Sequence, residues 1–397
     1  MAYASRAADN SAKWAAAAIG FSVPVSVALD NMLMPAVLLL WIIGGNFREK
    51  YELIKRNPVA LSALALIGWL AIGMFYGNAP VKDALDAFGK YIDLLFVPVF
   101  VTIFRENKTK RLAMDAFVFA MLLTLLLSYL LKFGILHQGS ILRGFSENPY
   151  VFKLHITQNF FMSYCTLILA VRFFMEKEKR MLWGILALLS LFNVLFMVQG
   201  RTGYVVMALL LLYLFATRMG KNGLILGFAA TILLGSLAFY GSSEFHKRVT
   251  VAMAEFTQWH RNDATVESDS IGQRLEFYTN TIAIVKAHPF LGVGTGGFPA
   301  AYREQVAGTK MIPSNNPHEE FLLVASQTGF VGLGLLLLLF VVQWREANKL
   351  PGTEKMLAHG LVISMVSGCL FNSFLLDHAE GLFFAFMTGV LFSERNT

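Results

Sequence analysis

Apolar residues gather in long runs separated by short polar breaks, near 13–29, 32–45, 59–77, 85–103, 113–132, 154–174, 181–198, 203–217, 223–241, 320–343, 356–375 and 380–393. A membrane-crossing helix needs roughly 20 mostly apolar residues, whereas a membrane barrel strand alternates apolar and polar positions. The runs do not alternate, so they predict an all-α polytopic membrane protein with about twelve transmembrane helices. Nine fall in residues 1–240 and three in 320–397, and the connection between them, 241–319, is far longer than any other. The first run follows Arg6 and Lys13 and a second follows it directly after Asp30-Asn31, with no small-residue cleavage site between them. It therefore reads as a retained helix and not as a signal peptide.

A connection of that length is usually functional or disordered. Within it, SIGQRLEFYTNTIAIVKAH begins with Ser270 and Gln273 in capping-box spacing and ends at His288-Pro289. Leu275, Tyr278, Ile282 and Val285 recur at helical spacing, which predicts an amphipathic helix at the membrane surface with Arg274 beside its apolar stripe. EFHKRVTVAMAEFTQWHRND predicts a second, shorter helix earlier in the loop.

Composition agrees with the pattern: of 397 residues 56% are hydrophobic and 15% charged, and the mean hydropathy is +0.57. The net charge of +7 is mostly a topology signal. With the N-terminus inside, 20 of the 33 lysines and arginines lie on inner segments, 7 lie in the long loop and only 6 on short outer turns, which predicts both termini in the cytoplasm. The charge does not read as nucleic-acid binding. Cys165 and Cys369 both sit inside apolar runs, where they read as packing residues, with no disulfide or zinc site implied.

The outer cations are what the orientation rule leaves unexplained. Arg201 lies in a very short outer turn between Gly200 and Gly203, either snorkelling to the surface or acting as a bidentate anion clamp. The segment RGFSENPYVFKLHITQ places Arg143, Lys153, His155 and Gln158 at the outer end of a span, and Arg274 stands on the loop helix. In NNPHEEFLLV, Asn315, Asn316 and Pro317 suit a helix start and Glu319-Glu320 suit its dipole. Capping has no use for His318, whose unperturbed pKa of about 6.5 suits a proton acceptor or a neutral hydrogen-bonding group. Cations gathered on the outer side point to an anionic substrate, a diphosphate being the obvious candidate. Neither Glu267 with Asp269 nor Asp377, His378 and Glu380 forms a recognisable metal site, so arginines and no metal are expected to stabilise the leaving group. The role of Asp377, His378 and Glu380 stays open. HPFLGVGTGGF, residues 288–298, is glycine-rich, but no strand precedes it and no GK[ST] follows, so a sharp loop packed on the membrane helices is the better reading.

The order QGRTG at 199–203, R-x-x-x-Y at 274–278, HPFLGVGTGGF at 288–298, PHEEFL at 317–322 and QTGFVG at 327–332 resembles the O-antigen ligase and polymerase superfamily, most strongly over residues 150–375. Members commonly carry H-N-x-x-L where this chain has His318-Glu319-Glu320-Phe321-Leu322, so Glu319 departs from the family pattern. The resemblance implies a GT-C-like, inverting, metal-independent glycosyltransferase of the bacterial inner membrane, with its active site facing the periplasm and no cofactor. The donor would be undecaprenyl-pyrophosphate-linked O-antigen and the acceptor a sugar hydroxyl of lipid A-core oligosaccharide, in lipopolysaccharide biosynthesis. Arg201 and Arg274, helped by Lys153, His155, Gln158 and Arg143, would bind the pyrophosphate. His318 would position or deprotonate the acceptor, with Glu319 beside it, and a groove between the loop helices and the bundle would hold the polyprenyl tail.

Three alternatives stand beside the ligase. An O-antigen polymerase of the superfamily often has two sizeable outer loops where this chain has one, and a protein O-oligosaccharyltransferase often has an extra C-terminal outer region. A transporter of lipid-linked oligosaccharide would be expected to place cations deep in the spans, whereas these cluster at the outer face.

Overall fold

The computed structural model describes residues 2–241, 246, 249–251, 253, 254 and 270–394. Among these the protein is all-helical, and the single pairing of extended backbone is the isolated bridge between Phe145 and Asn148. The shorter loop helix expected at 244–263, together with Glu267 and Asp269, lies for the most part outside the described residues.

The first two runs form α1 (Ala2–Val25) and α2 (Val27–Ile43), joined at Ser26, whose hydroxyl caps α2 by accepting from Leu29 N. Gly45 and Asn46 then take left-handed backbone, and the chain bends by 115° into the polar α3 (Phe47–Arg56). Asn57 caps α4 (Pro58–Tyr76) through Ala60 N, with proline at the first helical position, where a missing N–H costs nothing. The run expected as one span over 85–103 is instead three pieces: α5 (Val81–Lys90), a 3-10 turn (Ile92–Leu95) and α6 (Phe96–Ile103). Asp93 sits in the middle of that break, where it pairs with His378.

α7 (Asn107–Lys132) and α8 (His155–Met175) follow, then α9 (Arg180–Phe192), which continues through a π turn to Met197. The runs at 203–217 and 223–241 belong to one continuous assignment, α10 (Arg201–Gly241), broken at Gly220, where φ is 58° and ψ −134°. There the chain doubles back, and a Cβ on Gly227 would stand 3.3 Å from Leu212 Cα. α11 (Ser270–Ala287) and α12 (Phe298–Gln305) precede α13 (Glu320–Ala347), α14 (Gly352–Cys369) and α15 (His378–Phe392).

By length and composition, five of the described helices can cross a membrane: α4, α7, Arg180–Met197, α10 and α13. The bent pair α2–α3 makes a sixth. The other expected spans fall on helices that are shorter or more polar. α15 is apolar all round and buried from Glu380 to Phe392, the pattern of a helix enclosed on every side. Phe383 packs among Phe117, Phe160, Phe161 and Tyr164, with ring centroids 4.9–5.5 Å away, and a Cβ on Gly389 would collide with Phe100. Large apolar side chains on α2, α9 and the second half of α10 remain exposed, as a lipid-facing belt would. Both cysteines are buried and free.

Candidate functional site

α11 and α12 build a small core of their own. Phe277, Ile284, Phe298, Tyr302 and Val306 close on Leu323 of α13. The buried face of α11 therefore runs through Phe277, Thr281 and Ile284, while Ile282 of the expected stripe is exposed. This seating turns Arg274 toward the connection between α14 and α15, residues 370–377. Its Nη1 donates to Phe371 O at 2.9 Å and its Nη2 to Asn372 Oδ1 at 3.5 Å. The Asn372 amide in turn donates to Thr202 Oγ1 at 2.9 Å, next to Arg201 at the start of α10. Burial holds the Arg274 guanidinium below its usual range; the Tyr278 hydroxyl opposes that, and the positive charge of Arg201 adds a smaller push in the same direction as burial.

His318 joins the same group. Its backbone is left-handed, with φ 57°, a conformation that costs a non-glycine residue of order 1 kcal/mol or more. His318 N donates to Asn316 Oδ1 at 2.8 Å, and that oxygen also accepts from Ser373 Oγ at 2.7 Å. The Tyr278 hydroxyl donates to His318 O at 3.5 Å, and the Phe277 ring lies 6.2 Å from the imidazole. Burial, and secondly the Arg274 charge, push the imidazole below 6.5, so it stays neutral at neutral pH.

Two adjacent acids do different work. Glu319 caps α13 by accepting from Leu322 N, as its position suggested, and burial pushes its carboxyl up to about 7. Glu320 is fully buried: it accepts from the Tyr91 hydroxyl at 2.7 Å and from Leu375 N at 2.8 Å, tying the 370–377 connection to the bundle.

The structure distributes the remaining candidates around this centre. Gln199 N donates to Asn148 Oδ1, so the turn before Arg201 is stitched to the loop that carries Arg143, an exposed residue. A Cβ on Gly200 would stand 3.2 Å from His155 O, which puts the start of α8 beside Arg201. Gln158 serves structure, its Oε1 accepting from Val151 N at 2.6 Å. Lys153 is paired with a carboxylate: its ammonium is 3.6 Å from Asp30 Oδ2, with side chains 8% and 0% exposed, and the Arg143 charge also reaches it. Burial lowers the Lys153 pKa, with Asp30 opposing. His378 Nδ1 lies 3.0 Å from Asp93 Oδ2, and Lys153 acts electrostatically on Glu380. Asp30, Asp93, Lys153, His378 and Glu380 thus make a second, buried polar group.

The glycine-rich loop is a plug. Val293 N and Gly294 N donate to Ser326 O and Gln327 O at the break in α13, and Thr295 N donates to Gly73 O of α4. Gly296 N donates to Gln327 Oε1 at 2.6 Å, and Phe330 N to Pro289 O at 2.7 Å. Its amides are spent on protein carbonyls, which argues against a phosphate cradle. Among the described residues no three His, Cys, Asp or Glu side chains converge as a metal site requires.

Sequence reasoning missed Asp30, Asp93, Thr202, Asn372 and Ser373. Asn372-Ser373 does interrupt an apolar run, and Asp30 separates two such runs, so a weak signal was present; their partners are distant in sequence.

An apolar groove of about 640 Å3 opens nearby, between Leu209 of α10, Phe321 and Phe340 of α13, and Val366 and Leu370 of α14. It begins three residues from His318 and reaches Trp344 and Arg345 toward the far end of α13.

Residues 185–337 match the family model described as O-antigen ligase. The matched segment contains Arg201, Arg274 and His318. An uncharacterized protein of Haemophilus influenzae (strain ATCC 51907 / DSM 11121 / KW20 / Rd) is 24% identical over 208 residues, which is 49% of this chain and 51% of that protein. The match thus spans about half the length of this curated relative.

Proposed function

We propose that the chain, with an O-antigen ligase segment at its centre, is an inverting membrane glycosyltransferase of the periplasmic face of the bacterial inner membrane. On this reading it transfers O-antigen from undecaprenyl pyrophosphate to a sugar hydroxyl of lipid A-core. The carrying observation is that Arg274 and the segments bearing Arg201 and His318, far apart in the sequence, meet one connection, residues 370–377, through Arg274 itself, Thr202 and Asn316.

The two guanidinium groups supply the charge and the donors that a departing pyrophosphate needs, and arginine is suited to bidentate phosphate contact. As the anomeric carbon–oxygen bond breaks, its electron pair goes to the pyrophosphate oxygen, where the arginines stabilise it. The acceptor hydroxyl attacks from the opposite face and its proton passes to His318, which burial and Arg274 keep neutral and so able to accept it. The left-handed backbone at His318, tied down through Asn316 and Ser373, holds the imidazole at the helix mouth. The groove between α10, α13 and α14 receives the polyprenyl tail. That replaces the position between loop helices and bundle that the family resemblance suggested.

The test is transfer by the purified chain from undecaprenyl-pyrophosphate-linked glycan to lipid A-core, with excess EDTA and with His318→Ala. Product that persists in EDTA and is lost in the variant supports a metal-independent ligase. Longer glycan on the donor, with none on lipid A-core, makes it a polymerase; loss of all product in EDTA refutes the arginine-based mechanism.

A further inference from the structure

The connection between α14 and α15 spends its polar groups on the site. Phe371 O and Asn372 Oδ1 both accept from Arg274, Asn372 Nδ2 donates to Thr202 Oγ1, and Ser373 Oγ donates to the oxygen that also accepts from His318 N. Asn372 is 6% exposed and Ser373 1%, so both are buried polar residues in an otherwise apolar run. A buried amide is retained at low cost only where its donor and acceptor are both used, and those of Asn372 are. Its oxygen serves α11 and its nitrogen serves α10, the two helices that carry the arginines.

The chemistry of that bridge matters. Two guanidinium groups brought near each other repel, as the effect of Arg201 on Arg274 shows. A carboxylate between them would relieve the repulsion, but it would also neutralise the arginine and compete with an anionic ligand. An amide makes the same contacts without charge.

We propose that Asn372 is a positioning residue for diphosphate capture: its amide links Arg274 to Thr202 beside Arg201, setting the spacing of the two arginine-bearing helices without placing a carboxylate between them. This rests on the reading of the site as a pyrophosphate-lipid transferase. It adds a determinant outside the segment that matches the family, since residue 372 lies beyond 185–337.

The experiment uses the full chain in detergent, with farnesyl pyrophosphate and inorganic pyrophosphate as probes, and measures dissociation constants by calorimetry alongside the KM for donor and for acceptor. Asn372→Asp preserves shape and adds charge. It is expected to weaken pyrophosphate binding about tenfold or more and to raise the donor KM, with acceptor KM unchanged. Binding should recover as pH falls and the new carboxylate is protonated. Asn372→Gln should restore part of the affinity that Asn372→Ala loses, and Thr202→Val, which cuts the bridge from its other end, should weaken binding by a smaller factor. If the aspartate variant is too unstable to purify, the threonine variant carries the test alone. Wild-type affinity in Asn372→Asp, or in Thr202→Val where that stands alone, overturns the inference while Arg274→Ala still abolishes binding. A wild-type protein that captures neither probe refutes the functional reading and this inference with it.

Discussion

Lys153 and Asp30 offer the sharpest test of how the polar groups are divided. The cation belongs to the outer set expected at a pyrophosphate, yet the structure pairs it with a carboxylate buried on α2. The charged atoms are 3.6 Å apart, and among the described residues neither has a hydrogen-bond partner, while Asp30 Oδ1 accepts from Ser22 Oγ at 2.5 Å. At that separation and an effective dielectric of about 20, the attraction is about 4–5 kcal/mol, and desolvation of the two ions offsets much of it. Removing one partner leaves the other buried and uncompensated, at a cost of about 3–5 kcal/mol, whereas replacing both is close to neutral. Lys153→Met and Asp30→Asn should therefore each lower the melting temperature in detergent by several degrees, and the double variant should regain most of that loss. The assay is tryptophan fluorescence on heating, with farnesyl pyrophosphate binding measured on the same samples. If Lys153→Met leaves the melting temperature unchanged and lowers pyrophosphate affinity as Arg274→Ala does, or if the two losses simply add, the structural assignment of Lys153 is refuted.

His318→Gly keeps the left-handed backbone and removes only the imidazole, so transfer should fall by about 10²-fold or more with pyrophosphate binding retained; calorimetry and a gel-shift assay for product check both halves. Burial raises the Glu319 carboxyl from its ordinary 4.5 to about 7, so the folded protein holds that proton more tightly than the unfolded chain. The resulting stabilisation is full below about pH 4.5 and is lost as pH rises to about 7. The melting temperature of Glu319→Gln relative to wild type should accordingly climb across that window and level off above it, and a flat difference would contradict the assignment. Gly329 has φ 67° at the break in α13, and an added Cβ would collide with Phe290 O. Gly329→Ala should cost well over 1 kcal/mol, seen as a lower melting temperature and a loosened 288–298 loop in hydrogen exchange.

Much of the helical framework was legible because its signals are local. Ser270 and the Asn315–Glu320 stretch announce helix starts within a few residues of where α11 and α13 begin, whereas the break expected at Asp30-Asn31 lies inside α2, which starts at Val27. The interrupted run at 85–103 was misjudged for the opposite reason: hydropathy averages over Asp93, whose partner His378 comes from the other end of the chain. The stripe expected on α11 was right at Val285, which is buried, and at Tyr278, which packs on the small core, but wrong at Ile282, because that helix carries apolar residues on more than one side and only packing against α12 and Leu323 selects among them.

The same division runs through the site. The sequence by itself determined that His318 stands at a helix mouth, that Arg201 follows a glycine turn and that Arg274 rides a loop helix, since each statement depends only on neighbouring residues. Tertiary structure alone decided which of the cations meet. It turned Lys153 to Asp30, spent the glycine-loop amides on Ser326, Gln327 and Gly73, and put Asn372 between two arginine-bearing helices. The physical reason is that a buried polar group must find a partner wherever the packing of apolar faces leaves one within reach. Apolar patterning prescribes that faces pack without specifying which polar atoms then lie about 3 Å apart.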